Sequence, residues 1–293
     1  VSFSRLKVPL AIAVTTFSWA CAWVGIRAAV AHISPAHVAL GRYLVASLVL
    51  LPLWMWRRPR LQKHDLPAIF LSGLLGFTFY NLAINAGEKT ITAGAASLIA
   101  STIPIFTTLA AIFFLKEYVS RSAWTGIWIS LGGVALIALG EKGGVGFSPG
   151  ALLVVLAALC AAANGLLQKS LLKRYHALDV TTAAMWAGTL ALLPFGSGLV
   201  TELRVAPPSV SLNLIFLGVF PGAIGYVLWA YAMAHMPVAR LVSFLYVVPA
   251  MSIALGWMLL GEFPSMLSLI GGALALAGVV YTNTRKKEAV QHE

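Results

Sequence analysis

Ten apolar runs, each about 20 residues long and set apart by short links, leave this chain one environment in which to fold. They cover 8–30, 35–56, 66–87, 91–115 and 121–140, then 149–171, 179–200, 211–234, 238–260 and 265–284. A soluble chain of 293 residues that is 60% hydrophobic and 10% charged would have no surface left for water. The expected fold class is therefore an all-α membrane protein with ten transmembrane helices. The links, of which RRPRLQKHD, EKGGVGFS and TELRVAPPS are the clearest, are too short to hold a soluble domain. Arg5 and Lys7 precede an apolar run containing Ala20-Cys21-Ala22, which resembles a signal-peptide cleavage site. Because the run continues to Val30, it reads as a spanning helix instead.

The runs fall into two sets of five. Pro104 and Glu117 recur as Pro249 and Glu262, 145 residues further on, and Gly126 and Gly133 recur as Gly271 and Gly278. This register predicts a duplicated unit, with repeats at 1–145 and 146–293. Basic residues set the orientation. With the N-terminus in the cytoplasm, fifteen Lys and Arg residues fall on the inside, and five (Arg27, Arg42, Lys89, Lys142 and Arg204) fall outside. Both termini are then expected to be cytoplasmic. An odd number of helices per repeat turns the second half upside down, and inverted repeats of this kind place a central cavity between the halves.

The paired Pro, Glu and Gly residues, Trp19 in the first helix and the run LGRYLVASLVLLP around Arg42 resemble the drug/metabolite transporter superfamily, in its EamA-type branch. The passage LGFTFYNLAINAGEKTITAGAASLIASTIP, residues 75–104, is similar to the aromatic amino-acid exporters of that branch. The resemblance implies a multi-pass metabolite exporter of the bacterial inner membrane. It also implies a secondary carrier working by alternating access.

Polar and aromatic side chains facing inward mark a transport site, since lipid leaves a polar group unsatisfied. Thr78, Asn81 and Asn85 recur at helical spacing in the third helix, with Tyr80 adjacent; the equivalent of Asn81 in the eighth helix is Tyr226, followed by Trp229 and Met233. The first helix stacks Thr16, Trp19 and Trp23, and the sixth carries Asn164 at the position equivalent to Trp19, with Gln168 one turn on. Ser101 and Tyr246 are further expected lining residues. Packing or interface-belt roles for the aromatics, and helix-to-helix hydrogen bonding for the amides, compete with a cavity role. Pro104 and Pro249 each bend a helix, as a fixed kink or as a hinge. The glycines at seven-residue spacing allow close helix contact or a dimer face.

All nine acidic residues and all six histidines fall at expected helix ends or in links. Proton-coupled pumps usually carry such a group inside the membrane, so facilitated diffusion or exchange is expected, without tight proton coupling. Glu117 and Glu262 are the two that a one-turn boundary shift would bring inward. No basic residue sits clearly at the midplane to replace the hydration of a phosphate. The expected cargo is thus a neutral or zwitterionic metabolite, such as an aromatic amino acid, Met or Thr. Amphipathic drugs are the alternative. Arg27 and Arg42, near the outer mouth, either snorkel to the interface or attract a carboxylate.

An enzyme is not expected, since Ser101 and Thr102 have no intramembrane base to activate them. A channel would want a continuous polar pore. Cys21 and Cys160 lack metal-ligand spacing and read as packing residues, so no metal, cofactor or catalytic group is expected. The expected partners are a small-molecule substrate and the lipid bilayer, with no nucleic acid, and the expected working unit is a monomer.

Overall fold

The computed structural model describes residues 3–115, 121–141, 148–235, 241 and 244–291. Glu117, Lys116, Lys142 and Arg240 lie outside the described residues. The first half contains α1 (Phe3–Val30), α2 (Pro35–Arg57), α3 (66–87), α4 (93–115) and α5 (Arg121–Gly140). The second contains α6 (Pro149–Leu171), α7 (Ala177–Leu192), α8 (208–235), α9 (Val248–Leu260) and α10 (Met266–Gln291). No strand occurs among the described residues. Seven helices are long and apolar enough to cross a bilayer, and Trp124–Gly140, Phe244–Leu260 and Met266–Tyr281 add three shorter apolar ones. The all-α fold of ten spans is therefore the one the sequence predicts.

Short polar side chains start the helices that follow tight links. Ser34, Thr92 and Ser148 accept hydrogen bonds from the backbone N–H groups of His37, Ala95 and Ala151, capping α2, α4 and α6. Pro35 and Pro149 occupy first-turn positions, where a missing N–H costs nothing. α7 ends at Leu192, short of the expected residue 200: Leu193–Gly196 tightens into a 3-10 turn containing Pro194, and Gly198 turns the chain at φ 88° into a short helix, Leu199–Val205.

Three helices are interrupted and a fourth starts from a tight turn, and the four fall in two repeat-related pairs. α3 widens to a π-helix over Leu74–Phe79, and α8 does so over Gly218–Ile224. Shifted by the repeat offset, the first interval lands on 219–224. α4 is broken by a turn at Ser101–Thr102 between Ala93–Ala100 and Ile103–Leu115, while α9 is preceded by the 3-10 turn Phe244–Val247. Pro104 and Pro249 thus each stand in the first turn of a new helical segment, just past the break. Neither interrupts a continuous helix.

The halves are interleaved. α1 packs on α8 and α9, α6 packs on α3 and α4, and α5 lies along α10. Gly133 abuts the Gly271 backbone and Gly278 the Gly126 backbone, with no room for a Cβ at either contact. The glycine faces are spent on this contact within the chain. With ten spans, both termini lie at one end of the bundle, the near end. The links around His32, Lys89, Glu141, Gly198 and Glu262 lie at the far end.

Candidate functional site

The two π-helical stretches hold the centre of the molecule. Trp19 of α1 donates its indole N–H to the Pro221 carbonyl in the α8 stretch at 3.2 Å. Its ring meets Tyr226 edge-on at 5.7 Å and Trp229 at 5.1 Å, contacts worth about 0.5–1.5 kcal/mol each beyond their burial. At the equivalent point of the other half, Asn164 of α6 lies against Gly76 of the α3 stretch, where a Cβ would collide with its amide. Trp19 and Asn164 are repeat equivalents, as are Gly76 and Pro221. Ser72 Oγ donates to Asn164 Oδ1 at 2.6 Å and accepts from Gln168 Nε2 at 3.4 Å, fixing the Asn164 amide.

Between these helices lies a cavity of about 300 Å³. Its walls include Trp19, Trp23, Tyr43, Tyr80, Asn81, Ser101, Asn164, Tyr226 and Pro249. A second space of about 170 Å³ shares Trp19, Gly76, Asn164 and Tyr226 and runs past Gln168, Trp229 and Met233 to Leu172 and Ala177. Those last two residues lie at the near end.

Three expected residues lie elsewhere. Thr78 is buried and donates to the Gly188 carbonyl of α7. Asn85 donates to the Pro35 carbonyl, tying α3 to the start of α2. Both act between helices, the alternative open to any intramembrane polar group. Tyr246 packs beside Ile105, Ile127 and Val279. The lining face of α3 runs through Gly76, Tyr80, Asn81 and Ile84. Pro104 does not line the cavity, and its carbonyl accepts from Thr108 Oγ1 at 2.9 Å.

Arg42, for which snorkelling to the interface and attracting a carboxylate are the two expected roles, is 7% exposed and lines the cavity. Its guanidinium stands 5.1 Å from the Tyr43 ring centre, and its buried Nε has no hydrogen-bond partner. Two turns of α2 separate it from the Ser34 cap, so it is too deep to snorkel. A fixed cation beside aromatic rings and amides suits a small anionic group carried on an apolar body.

Above the cavity, toward the far end, Arg27 of α1 grips Glu262 with Nε at 2.9 Å and Nη2 at 2.8 Å. The left-handed Gly261 (φ 66°) closes α9 and turns Glu262 back over the bundle. Arg27 Nη1 also donates to the Glu88 backbone carbonyl. Glu88 does fall at a helix end, as the sequence indicates, yet it is fully buried, and neither carboxyl oxygen has a hydrogen-bond partner. Hydropathy locates the end of a span but not whether neighbouring helices cover it. Among the described residues no His, Cys, Asp or Glu cluster could hold a metal ion.

The EamA-like transporter family matches the chain twice, over residues 6–139 and 148–284. An uncharacterized transporter, YdfC, of Bacillus subtilis (strain 168) is 39% identical over 265 residues, covering 90% of this chain and 87% of that one. A probable terminal-alkyne amino-acid exporter of Streptantibioticus cattleyicolor is 37% identical over 283 residues, 95% of this chain and 94% of its own. One solved crystal structure superposes with a TM-score of 0.62 at 18% identity, over 95% of this chain and 98% of that one, and so shares the fold. The paired matches and the relatives' near-complete coverage make this multi-pass membrane protein a member of the EamA-like transporter family.

Proposed function

We propose that this transporter exports amino acids with apolar side chains across a bacterial inner membrane, with both termini in the cytoplasm. Arg42 carries the reading. A buried guanidinium that lines an aromatic cavity is suited to a substrate carboxylate, while Trp19, Tyr80 and Tyr226 pack against its side chain. The name of the Streptantibioticus relative, a probable amino-acid exporter, supports the same class of cargo. Ligand pockets span about 300–1,000 Å³, and a cavity of about 300 Å³ is at the small end of that range. This favours an amino acid over an amphipathic drug. The chain works as a monomer, with lipid around it and the cargo as its other partner.

Transport proceeds by alternating access. The breaks before Pro104 and Pro249 are the hinges about which α4 and α9 move, one in each half. Flux of labelled Phe, Met and Thr into and out of proteoliposomes tests the cargo. Protein-dependent flux of at least one is expected, and none for any of the three sinks the amino-acid reading. A Pro104→Ala variant is expected to slow flux more than it lowers the amount of folded protein, and the reverse would return Pro104 to a packing role.

A further inference from the structure

We infer that Glu88 is a proton-binding site whose ionisation releases the Arg27–Glu262 contact and so opens the far end of the transporter.

Charge is unevenly matched around Arg27. Two carboxyl groups, Glu88 in the first half and Glu262 in the second, lie within reach of the same guanidinium. Arg27 gives two N–H groups to the Glu262 side chain and a third to the Glu88 backbone, leaving the Glu88 side chain without a partner. An ionised carboxylate buried without a hydrogen bond is too costly to persist. With the contact in place, Glu88 is therefore protonated. Burial pushes its carboxyl well above the usual carboxylate range; Arg27 and Arg42 oppose that shift, and Glu262 adds to it.

Among the described residues, the titratable groups that act on Glu88 are few. α1 presents Arg27, α2 presents Arg42, the link after α9 presents Glu262, and α3 itself presents Tyr80. α6 meets the preceding residue, Gly87, through Gly150 and Val154, neither of which titrates. Glu88 also stands one turn beyond Ile84, and Arg27 follows Ile26, both lining residues. A route from the cavity to the carboxyl is thus short.

The step balances simply. The Glu88 O–H bond breaks, its electron pair stays on the carboxylate, and the proton passes to water. The new anion competes with Glu262 for Arg27, and the bridge between α1 and the second half weakens. Reprotonation restores it. On the cargo reading above, with the far end outside, a proton taken up from the outside closes the emptied carrier, and its loss to the cytoplasm prepares the next export step. That cycle exchanges substrate for protons, in place of the uncoupled mechanism the sequence suggests.

The test reads the far end without a substrate. Nitroxide labels are placed at His32→Cys and Phe263→Cys, both exposed, in a full-length background with Cys21→Ser and Cys160→Ser. The long-distance population is expected to grow by roughly 5-fold or more between about pH 5 and about pH 9. Glu88→Gln should hold the short distance at every pH, and Glu88→Asp should keep the response with a shifted midpoint. Glu262→Gln should favour the long distance throughout. A distance distribution that ignores pH, or a Glu88→Gln variant that follows pH as the parent does, overturns the inference. In proteoliposomes carrying a labelled amino acid, gradient-driven flux should disappear in Glu88→Gln, and its survival there also overturns the inference. Absence of flux for any amino acid, alongside a pH-dependent distance, counts against the cargo alone.

Discussion

The two ends of the bundle differ in whether each buried charge has a partner. At the near end, Asp65 is 4% exposed yet fully engaged, accepting from Arg174 at 2.6 Å and from the Tyr175 hydroxyl at 2.6 Å. Arg57 meets Asp179 there at 2.7 Å. Both contacts join the α2–α3 region of the first half to the α6–α7 region of the second. At the far end Arg27 and Glu262 also bridge the halves, but Glu88 and Arg42 are buried with unmet hydrogen-bonding capacity. A set of satisfied partners has one favoured arrangement. A buried group left unsatisfied retains a reason to change partner or protonation, so the near end reads as a brace and the far end, with the cavity beneath it, as the working part.

The largest expected break in this contrast is Arg42→Gln. Losing a buried charge that pairs with substrate costs about 2–5 kcal/mol of binding, so flux at low substrate should fall roughly 30-fold or more. Arg42→Lys should recover part of it, and unchanged flux would remove Arg42 from the site. Next comes the pH dependence of stability. The folded Glu88 carboxyl titrates above its unfolded value, so its stabilising effect is full at low pH and is lost as pH rises through the folded value. Thermal melts should therefore weaken at up to about 1.4 kcal/mol per pH unit between the unfolded and the folded carboxyl values and level off above the latter, and Glu88→Gln should flatten the slope.

At the near end Asp65→Asn should cost about 1–3 kcal/mol, because Arg174 and Tyr175 lose a charged acceptor. Denaturation in detergent would measure it, and flux per folded molecule should hold steady. The smallest effect is expected from Arg57→Ala, which removes a partly exposed pair worth about 1 kcal/mol or less. A near-end variant that altered the pH response as strongly as Glu88→Gln would erase the distinction between the ends.

Much of the architecture was legible in the chain. Hydropathy and the offset shared by Pro104 with Pro249 and Gly133 with Gly278 lead to the ten spans, and the glycine stripe leads to a close helix contact or a dimer face, of which the α5–α10 packing realises the first. Trp19, Tyr80, Asn81 and Asn164 were visible as polar or aromatic groups at mid-helix. The π-helical stretches were not, since LLGFTF and GVFPGAI match at no position at the repeat offset; the one available signal was Gly76 and Pro221 at equivalent positions. Thr78 and Asn85 entered the expected lining by helical spacing from Asn81, which does not show that each bonds to a neighbouring backbone carbonyl. Arg42 and Glu88 were placed by depth along the sequence, which does not register how neighbouring helices bury an end.

The interleaving of the halves also bears on why such a chain carries both units. One five-helix unit, alone in a membrane, would present to lipid the face of α1 that here meets α8 and α9. A single unit would need a second, oppositely inserted copy to cover that face in the same way. Carrying both units in one chain fixes their opposed insertion and lets equivalent positions differ, Trp19 on one side and Asn164 on the other.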